Sequence, residues 1–92
     1  DVTIGKYVII NLNCTLGHDD IIGDYATIYP GANISGHVIV GEGAELGTGM
    51  QIIQGKSIGQ ESIVGAGAVI IRDIPAKCTA VGNPAKNIKF FE

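Results

Sequence analysis

The stretch Ile34-Ser35-Gly36-His37-Val38-Ile39-Val40-Gly41-Glu42-Gly43-Ala44-Glu45-Leu46-Gly47 decides the fold. An aliphatic residue returns every sixth position, at Ile34, Val40 and Leu46, and a glycine follows two of the three. Stepping outward by six finds Ile28, Ile22, Leu16, Ile10 and Ile4 on one side, and Ile52, Ile58, Val64 and Ile70 on the other. Ile, Leu and Val make up 26 of the 92 residues, so an unbroken series of twelve is a repeat and not an effect of composition.

Two further positions keep the same period. The residue after the aliphatic is glycine at Gly5, Gly17, Gly23, Gly41, Gly47, Gly59 and Gly65, with Asn11 in the same slot once more. Both residue types tolerate φ > 0 and close backbone approach, so this slot is expected at a tight corner. Four residues after the aliphatic, small side chains prevail: Val8, Cys14, Ala26, Ala32, Val38, Ala44, Ser62 and Ala68. One large and one small inward residue per six, with a corner between them, describes a short strand turning a bend. An α-helix has no such period, and an ordinary hairpin strand alternates without obligatory corners. Three strands close a triangular coil of eighteen residues, so twelve hexads give about four coils whose aliphatics stack as interior ladders. The expected class is all-β, a parallel β-helix. Periodicity leaves its hand open, and the general rule for parallel strands would favour a right-handed crossover.

The pattern divides the chain into a β-helix over 1–74 and a loop and short tail over 75–92, where Pro75, Pro84 and the Gly82-Asn83-Pro84 turn interrupt it. Four residues break the small-inward rule: Asp20, Met50, Lys56 and Ile74. Asp20 and Lys56 stand two coils apart in one column. A buried charge needs a partner, so either they pair inside the helix or the column bulges outward. The formal charge of −3 and pI near 5.2 give no reason to expect nucleic acid or an anionic membrane as partner. No apolar run approaches the ~20 residues of a membrane span. Cys14 and Cys78 are too few and too far apart for a disulfide framework or a zinc site, which suits a reducing, cytoplasmic setting. No metal is expected.

Hexads of the form aliphatic–Gly–x–x–small–x over residues 4 to 74 resemble those of the hexapeptide-repeat acyltransferases. Two stretches narrow the resemblance. Leu16-Gly17-His18-Asp19 is similar to the histidine–acid pair of the branch that acetylates sialic acids and nucleotide-linked amino sugars. Val64-Gly65-Ala66-Gly67-Ala68-Val69, followed by Val81-Gly82-Asn83-Pro84-Ala85-Lys86, is similar to that branch's last coil and tail. The resemblance implies a left-handed helix, acetyl-CoA as co-substrate, a sugar acceptor and a homotrimer. It also implies an N-terminal sugar-nucleotide-binding domain upstream of this stretch, which begins at Asp1.

By the same resemblance His18 is the general base, and Asp19 orients it and stabilises the imidazolium. Imidazole suits that role because its unperturbed pKa of about 6.5 leaves it mostly neutral at pH 7. The alternative is a surface histidine beside a solvated acid. The eighteen-residue register puts Gly36 above His18, as a notch free of side chain where a backbone N–H can hold an oxyanion, or as a plain corner glycine. Thr48 and Ala66, in one column with Pro30 and Pro84, match positions lining the CoA arm, or are ordinary small outward residues. Lys86, with Lys77 and Lys89, either meets the CoA phosphates or serves solubility. His37, stacked over Asp19, assists the site or stands by. Cys14, in an inward slot, is read as an inert thiol.

Other functions compete with sugar acetylation. Serine, galactoside and xenobiotic acetyltransferases share the fold class. The trimeric carbonic anhydrase chemistry needs three histidine zinc ligands, and only His18 and His37 exist here. A non-catalytic assembly module is a further alternative. An ice-binding face would want paired ranks of threonine, which the five threonines do not form.

Overall fold

Each hexad spends two residues on a strand and four on a corner. The computed structural model describes residues 1–91 and contains twelve two-residue strands. They are β1 (Thr3–Ile4), β2 (Ile9–Ile10), β3 (Thr15–Leu16), β4 (Ile21–Ile22), β5 (Thr27–Ile28), β6 (Asn33–Ile34), β7 (Ile39–Val40), β8 (Glu45–Leu46), β9 (Gln51–Ile52), β10 (Ser57–Ile58), β11 (Ile63–Val64) and β12 (Val69–Ile70). The second residue of every strand is the aliphatic of the repeat. Two longer strands follow, β13 (Cys78–Val81) and β14 (Lys86–Phe90).

Parallel pairing in a register of eighteen, Ile4 with Ile22 and Ile34 with Ile52 for example, stacks the strands into three faces. The first face holds β1, β4, β7 and β10. The second holds β2, β5, β8, β11, β13 and β14, and the third β3, β6, β9 and β12. The result is a left-handed parallel β-helix of about four coils. Inside it, Ile22, Val40 and Ile58 form one ladder, Ile28, Leu46 and Val64 a second, and Ile34, Ile52 and Ile70 a third, all buried. Each such side chain contributes about 1.5–3 kcal/mol by leaving water. The first coil has no coil beneath it among the described residues, and Ile4 and Ile10 are accordingly exposed.

The corners divide the work expected of a single glycine slot between two slots. The left-handed residue is the third after the aliphatic, without exception from Tyr7 to Gly67: Tyr7, Asn13, Asp19, Tyr25, Gly31, His37, Gly43, Gly49, Gly55, Glu61 and Gly67 all have φ between 57° and 79°. The glycines directly after the aliphatic have no positive φ. They are required by close approach instead: a Cβ on Gly47 would stand 2.6 Å from the Val64 carbonyl oxygen of the next coil. The expectation of φ > 0 at that slot was misplaced by two residues, because strain and crowding fall on different atoms of one corner.

Asp20 neither pairs with Lys56 nor bulges outward. It is buried, and its carboxylate accepts the Gly17 N–H at 2.8 Å and the Val38 N–H at 2.9 Å. Charge-assisted bonds to backbone donors satisfy it without a lysine partner. Lys56 is half-buried and makes no ion pair among the described residues. Met50 and Ile74 are simply larger inward side chains, both buried.

Residues 75–91 carry more structure than a loop and tail. The register shortens to sixteen as Ile74 bridges Ile58 and β13 pairs with β11, Ile63 opposite Thr79. Buried Ser62 fastens this rung, donating to the Pro75 carbonyl at 2.5 Å and accepting the Cys78 N–H at 3.1 Å. β14 then folds back antiparallel on β13 and closes the sheet edge. Pro84 therefore does not continue the Thr48–Ala66 column, because two residues are missing from the turn between them.

Candidate active site

The corner linking the third face to the first carries residues 17–20 in one coil and 35–38 in the next. His18 and Asp19 sit at its tip, with Asp19 in the left-handed conformation, which splays adjacent side chains outward from the prism. His18 Nδ1 lies 3.2 Å from Asp19 Oδ2. An ionised carboxylate only accepts, so Nδ1 is the protonated nitrogen of the neutral ring, and Nε2 keeps its lone pair.

The Asp19 carboxyl is held below its ordinary value. The Asp1 nitrogen donates to its Oδ1 at 3.0 Å and His18 Nδ1 approaches its Oδ2, and each bond favours the ionised carboxylate. Burial opposes the shift, and His37 adds to it. Asp19 thus stays ionised wherever imidazole is neutral.

Gly36 lies directly against the His18 ring. A Cβ there would stand 2.9 Å from Nε2, 3.1 Å from Cδ2 and 3.2 Å from Cε1. The notch expected beside His18 is filled by the His18 ring itself, since the absence of a side chain at Gly36 lets the imidazole lie flat on the coil above. His37 joins the cluster. Its backbone N–H donates to the His18 carbonyl at 2.9 Å, its Nε2 lies 3.9 Å from Asp19 Oδ2, and its ring meets that of His18 edge-on at 4.7 Å between centroids. All three polar side chains remain at least half exposed in the single chain, His18 at 68%, His37 at 52% and Asp19 at 51%.

The other predicted residues lie elsewhere. Thr48 and Ala66 share a column on the corner between the second and third faces, where Gly67 N–H donates to the Thr48 carbonyl at 2.8 Å. Lys86 lines an open cleft of about 340 Å³ with Arg72, Asp73, Ile74, Ala85 and Asn87. Lys77 and Lys89 are not part of its wall. Arg72 was missed by sequence reasoning, because nothing in the repeat marks it; only the fold-back of β14 brings Lys86 beside it. Cys14 packs partly buried against the core, and burial pushes the Cys78 thiol up, so neither free cysteine is a poised nucleophile.

Fold and hexads make this a hexapeptide-repeat left-handed β-helix, and comparison with known proteins narrows the class. No protein-family model matches the chain, and no curated protein does. Among solved structures it is similar to a histidine-to-asparagine variant of perosamine N-acetyltransferase from Caulobacter crescentus, in complex with CoA and GDP-perosamine. Identity is 33% and the TM-score 0.88, over 96% of this chain and 50% of that one. The acetyltransferase domain of PglB from Neisseria gonorrhoeae FA1090, in complex with acetyl coenzyme A, is 32% identical with TM-score 0.88 over 95% of this chain and 51% of that one. Serine acetyltransferase from Neisseria gonorrhoeae superposes at TM-score 0.90 but is only 25% identical, over 96% of this chain and 38% of that one. The chain thus spans about half the length of the sugar acetyltransferase structures it matches. Its resemblance is to the sugar acetyltransferase branch of the hexapeptide-repeat acyltransferases.

Proposed function

We propose that the chain is the catalytic β-helix of an acetyl-CoA-dependent acetyltransferase that acts on the amino group of a nucleotide-linked sugar. The observation that carries this reading is the His18 imidazole, with Nδ1 on the Asp19 carboxylate and the ring laid over Gly36. The sugar branch is favoured over serine by identity, 33% against 25%.

In the reaction, the acceptor amine attacks the thioester carbonyl carbon of acetyl-CoA. His18 Nε2 takes the proton that the nitrogen sheds, and the ionised Asp19 steadies the resulting imidazolium. The Gly36 N–H, which no protein acceptor takes among the described residues, holds the developing oxyanion. As the carbon–sulfur bond breaks, the thiolate of CoA leaves and recovers the proton from His18. Thr48 and Ala66 line the pantetheine arm with their small side chains. Lys86, with Arg72, faces the phosphates from a cleft three coils above His18, roughly 14 Å at the spacing of β-strands.

A homotrimer follows from the same reading. His18 and the Thr48–Ala66 column stand on different corners of one prism, so a second copy must bring the base and the CoA lane together. Ile21 and Ile39, stacked and about half exposed on the first face beside the His18 corner, supply apolar surface for that contact. A cytoplasmic setting, where thiols stay reduced and acetyl-CoA is made, suits two free cysteines. No helix among the described residues is long and apolar enough to cross a membrane.

The test is thiol release from acetyl-CoA with GDP-perosamine and other nucleotide-linked amino sugars as acceptors. His18→Ala is expected to lower turnover by roughly 10²–10⁴-fold with the fold intact. Equal turnover in wild type and His18→Ala would remove His18 from the mechanism, and release with no amino sugar tried would remove the acceptor class.

A further inference from the structure

Three potential metal ligands, one each from His18, Asp19 and His37, lie within 4.8 Å of one another. We propose that they form a binding site for a divalent transition-metal ion of the zinc type, and that the bound ion switches the general base off. Two imidazoles and one carboxylate match the donor preference of zinc and its neighbours, and leave further positions open to water. Tetrahedral bonds of about 2.0–2.1 Å set neighbouring ligand atoms roughly 3.3 Å apart. His18 Nδ1 and Asp19 Oδ2 already stand 3.2 Å apart, and His37 Nε2 lies 3.9 Å from the same oxygen. His37 must draw in toward both of the others, across gaps that nowhere exceed 4.8 Å, and its half-exposed ring is free to turn.

The backbone does the positioning. The His37 N–H bonds the His18 carbonyl at 2.9 Å, and both Asp19 and His37 occupy the left-handed slot of successive coils, so their side chains leave the prism in parallel. A site built on stacked rungs loses little entropy on binding. The Asp19 carboxylate supplies the negative charge. Its Oδ1 accepts from the Asp1 nitrogen, and Oδ2 faces both histidines.

Binding and catalysis exclude each other at one atom. The ion takes the Nδ1 lone pair, the ring proton moves to Nε2, and Nε2 then has no lone pair with which to accept a proton. Only this inhibitory consequence rests on the acetyl-transfer reading; the metal site itself does not.

Calorimetric titration of the chain with Zn²⁺ in metal-free buffer separates the two. One Zn²⁺ per chain is expected, with affinities ordered Cu²⁺ above Zn²⁺ above Mn²⁺ and no binding of Mg²⁺. Asp19→Asn and His37→Asn, which keep a residue tolerant of positive φ, are each expected to weaken Zn²⁺ by at least ~10-fold, the least that disturbing a metal shell costs. Wild-type affinity in both variants, or no heat with Zn²⁺ in the wild type, would overturn the site. In the activity assay, Zn²⁺ is expected to inhibit the wild type at concentrations that leave His37→Asn at its own metal-free rate. Stoichiometric binding without inhibition would overturn the switch while leaving the site standing.

Discussion

On the proposed mechanism, Gly36→Ala isolates the placement of His18 from the stability of the fold. The new Cβ would arrive 2.9–3.2 Å from three atoms of the His18 ring, against a comfortable separation of about 3.5–4.0 Å. The ring must therefore retreat by roughly 0.5–1 Å, and a misplacement of 1 Å at a reacting group costs on the order of 10²-fold. A fall in kcat of about 10–100-fold is expected. Stability is expected to change little. Gly36 has no positive φ, so alanine meets no backbone strain, and the obstacle is an exposed side chain that swings aside. A gain of about 0.4–1 kcal/mol from a stiffer unfolded chain offsets the rest. Gly17, one coil below, is the control. There a Cβ would stand 2.5 Å from the Ser35 carbonyl carbon, and backbone cannot swing aside. Gly17→Ala is expected to lose about 1–3 kcal/mol or more, at roughly 4–8 °C of melting temperature per kcal/mol for a chain of this size. Steady-state kinetics at saturating acetyl-CoA and a thermal melt on both variants read the two effects. Full kcat in Gly36→Ala would show that the ring does not need its seat on that glycine.

Three further outcomes follow from the geometry. Asp20→Ala leaves the buried Val38 N–H without an acceptor, whereas Gly17 N–H keeps the Ile34 carbonyl at 2.7 Å. A loss of about 1–3 kcal/mol in urea unfolding is expected, and a loss within error would mean that water replaces the carboxylate. Because folding depresses the Asp19 value, its contribution is fully present above the ordinary 3.8 and disappears as pH falls through the folded value. Asp19→Asn should therefore melt below wild type at pH 6 and converge with it in acid; a gap that persists in acid would contradict the assignment. Finally, on the proposed trimeric arrangement, mixing His18→Ala with Thr48→Trp should restore part of the activity, while a fully active monomer in solution would refute the shared site.

The fold was legible because its information is local and repeated. Every hexad carries the same instruction, so an error at Asp20, Met50 or Lys56 is outvoted by eight regular hexads. His18 and Asp19 were legible for a related reason: neighbours in sequence share a corner whatever the rest of the chain does. Gly36 was found by register arithmetic, which holds as long as each coil has eighteen residues. The arithmetic failed at Pro84, where the register had already shortened to sixteen.

By itself the sequence determined the period, the three faces, the interior ladders and the placement of a histidine–acid pair at a corner. It could not determine which slot of the corner is left-handed, because glycine serves positive φ and close approach alike, and only the coordinates separate the two needs. Tertiary structure also decided the partner of Asp20, the fold-back of β14 that sets Lys86 beside Arg72, and the meeting of His37 with Asp19. Two histidines nineteen residues apart fit no ligand motif in a linear reading. Stacking puts them on adjacent rungs, where the backbone bond between His37 and His18 turns distance along the chain into contact.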